Sequence, residues 1–353
     1  MAGLAAAARA RELGARPLVY EKGDRPGGSM VLSSCVIWRY RTFDDFRAEC
    51  PGGDPVLQQL VFERLDEGIA WLESLGAPVV EHETGNPRTI GKRFDPRGLT
   101  EALVRAAGGE IRLGEELPAE VEAPLVLATG GFQGSAELVA RYVRPSAPLR
   151  LRANPWSAGD GLRLGLARGA AVTAGMDEFY GRNMPDAPFT EAEFVPLAQL
   201  YGRYARVYNE QGEEFFDREV SWSETDLVQA TARQPGARAW YVLDDEALEQ
   251  RVRGRRVAEM VAAAPTAVPP EELPFPAPAG AKVAVRVSPG ITHTIGGLRV
   301  DTQARVLDES GAPLPGLYAT GADVGGISTG GYASGLAAAL VLGRIAAETA
   351  LAR

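Results

Sequence analysis

The sequence predicts an α/β fold in which a Rossmann-like dinucleotide-binding domain is split along the chain by an inserted α+β domain. Three observations support this prediction. An Ala-rich helical stretch near the start leads into a strand at 17–21, and a strand, a glycine turn and an acid at 315–323 precede a long apolar helix. Residues 186–285 differ in composition from the rest of the chain. They contain aromatic residues and Arg/Glu pairs but no glycine-rich nucleotide-binding motif. Strands alternating with helices are typical of parallel α/β sheets.

The first 21 residues resemble the later part of a dinucleotide-binding βαβ unit. Residues 1–7 fit the end of a G-x-G-x-x-G turn that runs into its helix. In such a unit the last glycine lets helix and strand pack closely, and an acid about 20 residues further on binds the ribose hydroxyls. We expect Gly3 and Glu21 to fill these roles. The first strand and first two glycines do not precede Gly3, so we expect either a lost start of the fold or a true start upstream of Met1.

Two later segments indicate that the bound dinucleotide is FAD. The pair Gly27-Gly28 lies just past the predicted ribose acid, as in flavoproteins that bind FAD in an extended form. Near the C-terminus, residues 330–339 begin a long apolar helix. We expect the free amides at its N-terminus to face the flavin pyrimidine and to stabilise negative charge on the reduced ring.

Composition limits the class of protein. The chain has 353 residues, 45% of them hydrophobic, and can bury a large core in one or two domains. A net charge of −9 without a Lys/Arg run argues against a nucleic-acid partner. No apolar run reaches the about 18 residues that cross a bilayer, and Arg9, Arg11 and Glu12 interrupt the Ala-rich start before a signal sequence is complete. We expect no membrane insertion and a cytoplasmic location.

The sequence predicts no metal centre. Cys35 and Cys50 have neither the spacing of a metal site nor that of a haem attachment motif. With only two histidines, His82 and His293, a His-based zinc site is not expected. Redox chemistry in this chain must therefore use an organic cofactor.

The spacing of the hydrophobic residues and the positions of glycine and proline predict several helices and strands. Helical spacing spans 55–75 and ends at Gly76, and an Asp-Pro start predicts a second helix that continues to Ala107. Strands are predicted at 110–113 and 124–128, the second ending in a glycine turn. The predicted domains are a first part of the FAD-binding domain at 1–185, a substrate cap at 186–285 and a second part of the FAD-binding domain at 286–353.

Five motifs together resemble the fumarate reductase/succinate dehydrogenase flavoprotein family, which includes the 3-ketosteroid dehydrogenases and tricarballylate dehydrogenase. The motifs occur in the family's order and are 128–132 (Ala-Thr-Gly-Gly-Phe), 159–162 (Gly-Asp-Gly-Leu), 209–215 (Asn-x-x-Gly-x-x-Phe), 293–297 (His-Thr-Ile-Gly-Gly) and 315–321. The resemblance covers nearly the whole chain and is weakest in the cap. It implies a Rossmann-like FAD-binding domain, split in sequence, with an inserted mobile α+β cap domain, a substrate held between the two, and hydride transfer at flavin N5.

The motifs and the resemblance together give a set of predicted cofactor-binding residues, namely Gly3, Glu21, Lys22, Gly27, Gly28, Ser29, Ala128, Thr129, Gly130, Gly131, Asp160, Gly321, Asp323, Ser334, Gly335 and Leu336. Family members that attach FAD covalently use a His shortly after the early Gly-Gly pair. The corresponding residues 29–34 contain none. The resemblance therefore implies non-covalent FAD.

The resemblance also assigns candidate catalytic residues, with departures. His293 matches the family's His that helps to hold a substrate carboxylate, although a structural role through a backbone hydrogen bond is the alternative. The family's carboxylate-clamping Arg before the last helix is replaced by Gly330. The proton-donating Arg of the cap has no clear equivalent, since Trp222 falls near its place and Arg218 lies four residues earlier. We keep Arg218 as a catalytic candidate.

A tyrosine at the start of the last helix resembles those of the ketosteroid dehydrogenases, where tyrosines handle the proton and the substrate carbonyl. Tyr332 is therefore predicted either as a proton acceptor or as a residue that packs on the flavin. Tyr180, Arg182 and Asn183 lie where the family places a substrate contact at the cap hinge, and we expect at least one of them to touch substrate.

The predicted function is an FAD-dependent oxidoreductase acting on a carbon–carbon bond next to a carbonyl or carboxyl group. It implies a small-molecule substrate and a separate electron donor or acceptor. The missing carboxylate clamp disfavours fumarate and succinate, and aromatic and apolar residues at 33–41 and 179–185 favour a larger, less charged molecule. The alternatives are a fumarate-reductase-like enoate reductase, or a non-catalytic fragment in which the missing first strand leaves FAD unbound.

Overall fold

The structure is a computed structural model that describes residues 1–118, 121, 124–144 and 149–352. The α-helices within the described residues are α1 (Ala2–Glu12), α2 (Phe43–Glu49), α3 (Pro55–Ser74), α4 (Pro96–Ala107), α5 (Ala136–Tyr142), α6 (Asp160–Ala167), α7 (Thr225–Ala232), α8 (Asp245–Glu249), α9 (Val257–Ala262) and α10 (Gly335–Leu351).

The strands are β1 (Leu18–Glu21), β2 (Val36–Tyr40), β3 (Val79–Glu81), β4 (Thr89–Phe94), β5 (Glu110–Leu113), β6 (Leu125–Leu127), β7 (Arg150–Leu151), β8 (Phe179–Pro185), β9 (Arg206–Tyr208), β10 (Ala239–Leu243), β11 (Arg251–Val252), β12 (Arg255–Arg256), β13 (Ala267–Val268), β14 (Val283–Thr294), β15 (Arg305–Leu307) and β16 (Pro313–Ala319).

The chain divides into two compact units. Unit 1 comprises Met1–Leu138, Asn154–Glu178 and His293–Arg353, and unit 2 comprises Val139–Ala153 and Phe179–Thr292. The sequence placed domain boundaries at 185/186 and 285/286 instead. The assignment of a substrate role to 186–285 stays a prediction.

Unit 1 contains the parallel strand pairs of the α/β fold. β1 pairs in parallel with β5, and β6 pairs in parallel with β16, on whose other side β15 runs antiparallel. A third sheet of unit 1 has the order β2-β4-β3 and is antiparallel. Parallel strand pairs combined with helices confirm the predicted α/β class.

Small residues allow the first and last helices of unit 1 to pack closely. The buried face of α1 consists mostly of alanines. A Cβ added to Gly343 of α10 would lie 2.7 Å from the carbonyl oxygen of Ala2 and 3.3 Å from the Cβ of Ala5. Only glycine permits this approach, so the α1–α10 contact depends on Gly343.

Local capping explains two helices that the sequence predicted. Asp54 accepts hydrogen bonds from the N–H groups of Val56 and Leu57 at the start of α3. Asp95 accepts from Gly98 at the start of α4, which ends at Gly108 in the left-handed conformation. Both helices and β5 confirm the predictions from periodicity.

Unit 2 is built on an antiparallel sheet with strand order β13-β14-β10-β9, to which β7 and β8 add by pairing with β14. Helices α7, α8 and α9 belong to this unit, and its main core cluster is Tyr201, Val207, Phe216, Leu227, Ala239, Tyr241, Leu243, Ala247, Val257, Met260, Val261, Ala264, Val285 and Val287.

None of the described helices is both long and apolar enough to span a membrane. A search of the same residues for three or more His, Cys, Asp or Glu side chains placed to hold a metal ion finds no such group.

Candidate active site

Unit 1 brings the start of α1 against the ends of β6 and β16. A Cβ added to Gly3 would lie 3.3 Å from the Cβ of Ala128. Gly321 has a φ of +66°, and a Cβ added there would lie 2.9 Å from the Cβ of Ala2. Three predicted cofactor residues, Gly3, Ala128 and Gly321, therefore lie at one point, where a helix N-terminus meets the carboxyl ends of parallel strands.

Asp323 fixes the glycine turn after β6. Its carboxylate accepts hydrogen bonds from the backbone N–H of Thr129, from the Thr129 hydroxyl at 2.8 Å and from the N–H of Gly131 at 3.1 Å. The side chain is 2% exposed, and burial raises the pKa of its carboxyl while these hydrogen bonds oppose the rise. Gly130 and Gly131 have φ values of +91° and +85°. Asp323 thus holds the conformation of a predicted cofactor turn.

The predicted ribose acid, Glu21, directly precedes a lysine that forms an ion pair with Asp160. One carboxylate oxygen of Glu21 accepts from the N–H of Gly23 at 2.8 Å. Nζ of Lys22 lies 3.1 Å from a carboxylate oxygen of Asp160, at the start of α6. Two further predicted cofactor residues, Lys22 and Asp160, are therefore in contact, and a third, Glu21, is the residue before Lys22.

The early glycine pair forms a tight turn. Gly27 and Gly28 have φ values of +109° and +54°, a region that favours glycine. The hydroxyl of Ser29 accepts from the N–H of Asn154 at 3.1 Å, and a Cβ added to Gly28 would lie 3.4 Å from Nδ2 of the same asparagine. Asn154 anchors this turn, although no sequence motif singled it out.

The start of α10 lies against His293. Ser334 caps the helix, because its hydroxyl accepts from the N–H of Ala337 at 3.3 Å. A Cβ added to Gly335 would lie 3.2 Å from Nε2 of His293. The N–H groups of Gly335 and Leu336 belong to the first turn, where the helix leaves its amides without helical partners. The predicted flavin-facing helix start and the predicted catalytic histidine are therefore adjacent.

The hydrogen bond of His293 assigns its tautomer. Nδ1 lies 3.0 Å from the carbonyl oxygen of Thr294. Because a carbonyl oxygen only accepts, Nδ1 carries the hydrogen, and in the neutral ring Nε2 has the lone pair. Burial lowers the pKa of His293 below its ordinary value, with the Thr294 hydrogen bond opposing the shift. A neutral ring with an acceptor at Nε2 is suited to take a proton and is poorly suited to hold a carboxylate.

Tyr332 is held through its backbone. The hydroxyl of Tyr40 donates to the Tyr332 carbonyl oxygen at 2.5 Å. The Tyr332 N–H donates to the sulfur of Cys50. Burial raises the pKa of the Cys50 thiol to about 12. The Tyr332 ring centroid lies 5.8 Å from that of Trp38 and 6.1 Å from that of His293. Tyr332 is therefore fixed beside His293 with an aromatic neighbour on β2.

The turn before Tyr332 is also tightly packed. The N–H of Gly330 donates to the Glu178 carboxylate at 2.7 Å. A Cβ added to Gly330 would lie 3.1 Å from Cδ of Pro51, and one added to Gly331 would collide with the carbonyl oxygen of Glu49. This turn therefore has little room for larger residues at its two glycines.

The four remaining predicted site residues lie in unit 2. Asn183 is 1% exposed, and its amide donates to the hydroxyls of Thr231 and Tyr241. Arg182 is 5% exposed and donates to the carbonyl oxygen of Ser223. These positions do not support direct substrate contact by Arg182 and Asn183, because protein groups already hold both side chains.

Two of these residues are more open. The guanidinium of Arg182 lies 5.2 Å from the ring centroid of the half-buried Tyr180. Arg218 is exposed, and its guanidinium lies 5.0 Å from the ring centroid of Phe216. A substrate contact by Tyr180 and a catalytic role of Arg218 stay predictions.

The residues of unit 1 fit FAD. The N-termini of α1 and α10, the Glu21 carboxylate and the glycine turn supply donors and acceptors that a dinucleotide requires. Within the described part of the chain, Oε1 of Gln133 and Oγ1 of Thr294 are buried without a hydrogen-bond partner. Both lie against Gly131, at 2.8 Å and 2.7 Å from the position of an added Cβ. A hydrogen-bond donor is what each of these oxygens still requires.

Sequence reasoning missed the residues that support Tyr332. Tyr40 and Trp38 were noted only among the aromatic and apolar residues at 33–41, and Cys50 only as lacking the spacing of a metal site or a haem attachment motif. Their contacts join parts of the chain about 290 residues apart, since 292 positions separate Tyr40 from Tyr332. No local spacing signals such a contact.

Two family patterns match the chain. Residues 95–336 match the FAD binding domain family, and residues 1–36 match the NAD(P)-binding Rossmann-like domain family. The first match extends from the start of α4 to the start of α10 and so includes the glycine turn after β6, the whole of unit 2 and His293.

Similar proteins include reductases and dehydrogenases. A probable fumarate reductase of Shewanella frigidimarina is 23% identical, over 99% of this chain and 73% of the relative. An NADH:fumarate oxidoreductase of Klebsiella pneumoniae is 25% identical over 100% of this chain and 47% of the relative, so the chain spans about half of its length.

The fold is also similar to solved structures. The open conformation of a flavocytochrome c3 fumarate reductase aligns with a TM-score of 0.71 at 23% identity, over 99% of this chain and 76% of that one. A 3-ketosteroid-Δ4-(5α)-dehydrogenase from Rhodococcus jostii aligns with a TM-score of 0.73 at 20% identity, over 100% and 95%.

Proposed function

The chain belongs to the FAD binding domain family, within the fumarate reductase and succinate dehydrogenase flavoproteins, and from this premise we propose its substrate class and its acting residues. It is an FAD-dependent oxidoreductase that acts on carbon–carbon bonds. We infer that this bond lies next to a ketone or a single carboxylate, in a cyclic or longer-chain molecule.

The observation that supports this proposal most directly is the pair His293 and Tyr332 beside the start of α10, with ring centroids 6.1 Å apart. When bound, FAD supplies hydride exchange at N5 of its flavin ring. In the oxidative direction, the Tyr332 oxygen takes the proton from the carbon next to the carbonyl as its own phenolic proton passes to Nε2 of neutral His293. His293, neutral and with an acceptor at Nε2, receives a hydrogen bond from the phenol or from a substrate hydroxyl.

The same residues disfavour a dicarboxylate. A carboxylate requires donors, and neutral His293 presents an acceptor at Nε2 because Nδ1–H already donates to Thr294. Gly330 stands where the resemblance expects an Arg clamp, and a Cβ added there would lie 3.1 Å from Cδ of Pro51. Trp38 is buried with its ring centroid 5.8 Å from that of Tyr332, and it gives this part of the site an aromatic wall behind Tyr332.

Three further features belong to the proposal. FAD is bound non-covalently, because residues 29–34 after the early glycine pair contain no histidine. A separate electron donor or acceptor completes the catalytic cycle. A cytoplasmic location stays a prediction from the sequence alone.

A panel of compounds tests the proposal. The FAD-loaded protein is mixed without oxygen with ring ketones, longer-chain monocarboxylates and succinate, and bleaching of the flavin absorbance is followed. We expect bleaching with at least one carbonyl compound and little with succinate. Bleaching by succinate alone would contradict the proposed substrate class.

The second candidate is a fumarate-reductase-like enoate reductase. It is favoured by the similarity over 99% of the chain to a probable fumarate reductase. Reoxidation of the chemically reduced protein by fumarate and by acrylate, compared with a ring enone, distinguishes the two. Faster reoxidation by fumarate than by the enone favours the second candidate.

A further inference from the structure

A short segment of unit 1, residues 175–178, is bonded to the loop that carries the candidate histidine. The carbonyl oxygen of Gly175 accepts a hydrogen bond from the N–H of Gly296 at 3.0 Å. The carbonyl oxygen of Glu178 accepts from the N–H of Ile295 at 3.1 Å. The backbone of Glu178 is therefore fixed relative to the 293–297 motif, and its side chain starts from a defined point.

The side chain of Glu178 reaches the turn that carries Tyr332. It is half-buried, and its Oε2 accepts from the N–H of Gly330 at 2.7 Å. Such a short distance is typical of a hydrogen bond to an ionised carboxylate. Thr329 packs on the same segment, because its Cγ2 lies 3.0 Å from an added Cβ on Gly175. The turn is thus held against residues 175–178 by both a hydrogen bond and packing.

The backbone donors of this turn are already used within the protein. Each of the four successive N–H groups at 330–333 has an acceptor. These acceptors are Oε2 of Glu178 for Gly330, the carbonyl oxygen of Ser328 for Gly331 at 3.0 Å, the sulfur of Cys50 for Tyr332 and Oγ of Ser328 for Ala333 at 3.2 Å. A substrate carboxylate at this turn would need donors, and these four are occupied.

The acceptor at Gly330 is itself a carboxylate. The resemblance expects an arginine at this position, whose guanidinium would hold a carboxylate of the substrate. Here position 330 has no side chain, and its N–H is bonded to the carboxylate of Glu178. A protein carboxylate therefore stands at the turn where the resemblance expects the carboxylate of a ligand.

We propose that Glu178 fills, from within the protein, the position at the Gly330 turn where a substrate carboxylate would bind, so that the enzyme selects a substrate whose end at this turn is uncharged. The Glu178 carboxylate takes the donor that an anionic end requires, whereas an uncharged end requires no such donor. The inference deepens the proposed function and rests on it for the molecule that reaches the turn. Glu178 is a positioning residue, because it acts through the turn.

Binding of succinate and of its uncharged analogue dimethyl succinate tests the inference. Isothermal titration calorimetry is carried out without oxygen on the FAD-loaded, chemically reduced full chain, because a reduced flavin cannot oxidise succinate. Glu178→Ala empties the position at Gly330. We expect this variant to bind succinate at least about tenfold more tightly than wild type, the effect of one hydrogen bond to a charged group. Binding of dimethyl succinate should not change.

Two further variants separate occupation of the position from other effects. Glu178→Gln keeps an amide oxygen that can accept from Gly330, and its gain in succinate affinity should be smaller than that of Glu178→Ala. Asp177→Ala removes a negative charge at the exposed neighbouring residue and should bind succinate like wild type. Glu178→Ser also removes the carboxylate, and it serves if Glu178→Ala does not fold.

A gain in affinity is a readout that a merely structural role of Glu178 would not produce, since a loosened turn binds ligands less well. Succinate binding that is no tighter in Glu178→Ala than in wild type overturns the inference. Equal gains in Glu178→Ala and Glu178→Gln, or an equal gain in Asp177→Ala, also overturn it, because charge alone would then explain the result.

The panel of compounds decides the proposed function separately. If no carbonyl compound bleaches the flavin while Glu178→Ala gains succinate affinity as expected, the proposed function fails and the role of Glu178 stands. If a carbonyl compound bleaches the flavin while Glu178→Ala gains no succinate affinity, the role of Glu178 fails and the proposed function stands.

Discussion

The protonation state of one side chain, His293, determines which chemistry the candidate site supports. Burial lowers its pKa, so the ring is neutral at pH 7. A folded-state pKa below the unfolded value of 6.5 contributes stability above that pH, and this stability is lost as the pH falls through the lowered pKa. The acceptor at Nε2 is lost over the same range.

We predict that His293→Ala slows flavin reduction by substrate about 100-fold, the size typical for loss of one acid–base group. In wild type the rate should fall as the pH drops below 6.5 towards the lowered pKa, because protonation turns Nε2 into a donor. Stopped-flow absorbance with the best carbonyl compound measures both. His82→Ala, at the other, exposed histidine, is the control. A rate that rises on acidification would contradict the acceptor role.

Tyr332→Phe should slow the same step about 100-fold with FAD still bound, because the oxygen that takes the substrate proton is lost. Tyr142→Phe on α5 is the matched control, and equal rates in Tyr332→Phe and wild type would remove Tyr332 from the mechanism.

Tyr40→Phe tests how the backbone of Tyr332 is held. It removes the donor to the Tyr332 carbonyl oxygen, and we expect kcat to fall about tenfold, the equivalent of one hydrogen bond. The FAD spectrum should not change. A loss of FAD from this variant would indicate a role in cofactor binding instead.

Among single residues, the sequence singled out as candidates those that belong to motifs. His293, Asp323 and the glycines after β6 were singled out because each lies in a motif with a recognisable spacing. The partners that hold them were not found: Tyr40, Cys50 and Asn154 contribute through contacts between distant parts of the chain. Such contacts depend on tertiary packing, which local patterns do not encode.

At the level of helices and strands, the packing of α1 on α10 depends on a glycine, Gly343, which has no side chain. We predict that Gly343→Val destabilises the protein by about 1–3 kcal/mol, the usual cost of overpacking, since even a Cβ would lie 2.7 Å from the Ala2 carbonyl oxygen. Urea unfolding monitored by circular dichroism measures the change. Ala350→Val, a half-buried position on the same helix, is the control. An unchanged midpoint would mean that α1 can move away from α10 at little cost.

Helices with periodic faces and explicit caps were predictable, as α3 and α4 demonstrate. The antiparallel sheet β2-β4-β3 was not, because Val36–Tyr40 pairs with Thr89–Phe94 and about 50 residues separate the two strands. The strands of unit 2 also carried no motif. Pairing over such distances in sequence is decided by burial and register, which the residue pattern of a single strand leaves open.

For the whole molecule, the mode of FAD binding is testable. We predict that acid precipitation of the yellow protein releases all flavin into the supernatant, because no histidine follows the early glycine pair to attach it. Absorbance of supernatant and pellet measures this. Flavin that remains in the pellet would contradict non-covalent binding.

The central proposal concerns the whole site, whose residues we propose to suit a carbonyl compound better than a dicarboxylate. Steady-state kcat/KM with an artificial electron carrier tests it most directly, with fumarate and a ring enone compared on the same preparation. We predict a clear preference for the enone. Fumarate reduction with kcat/KM above ~10⁴ M⁻¹s⁻¹, the lower end for ordinary enzymes, would contradict this proposal.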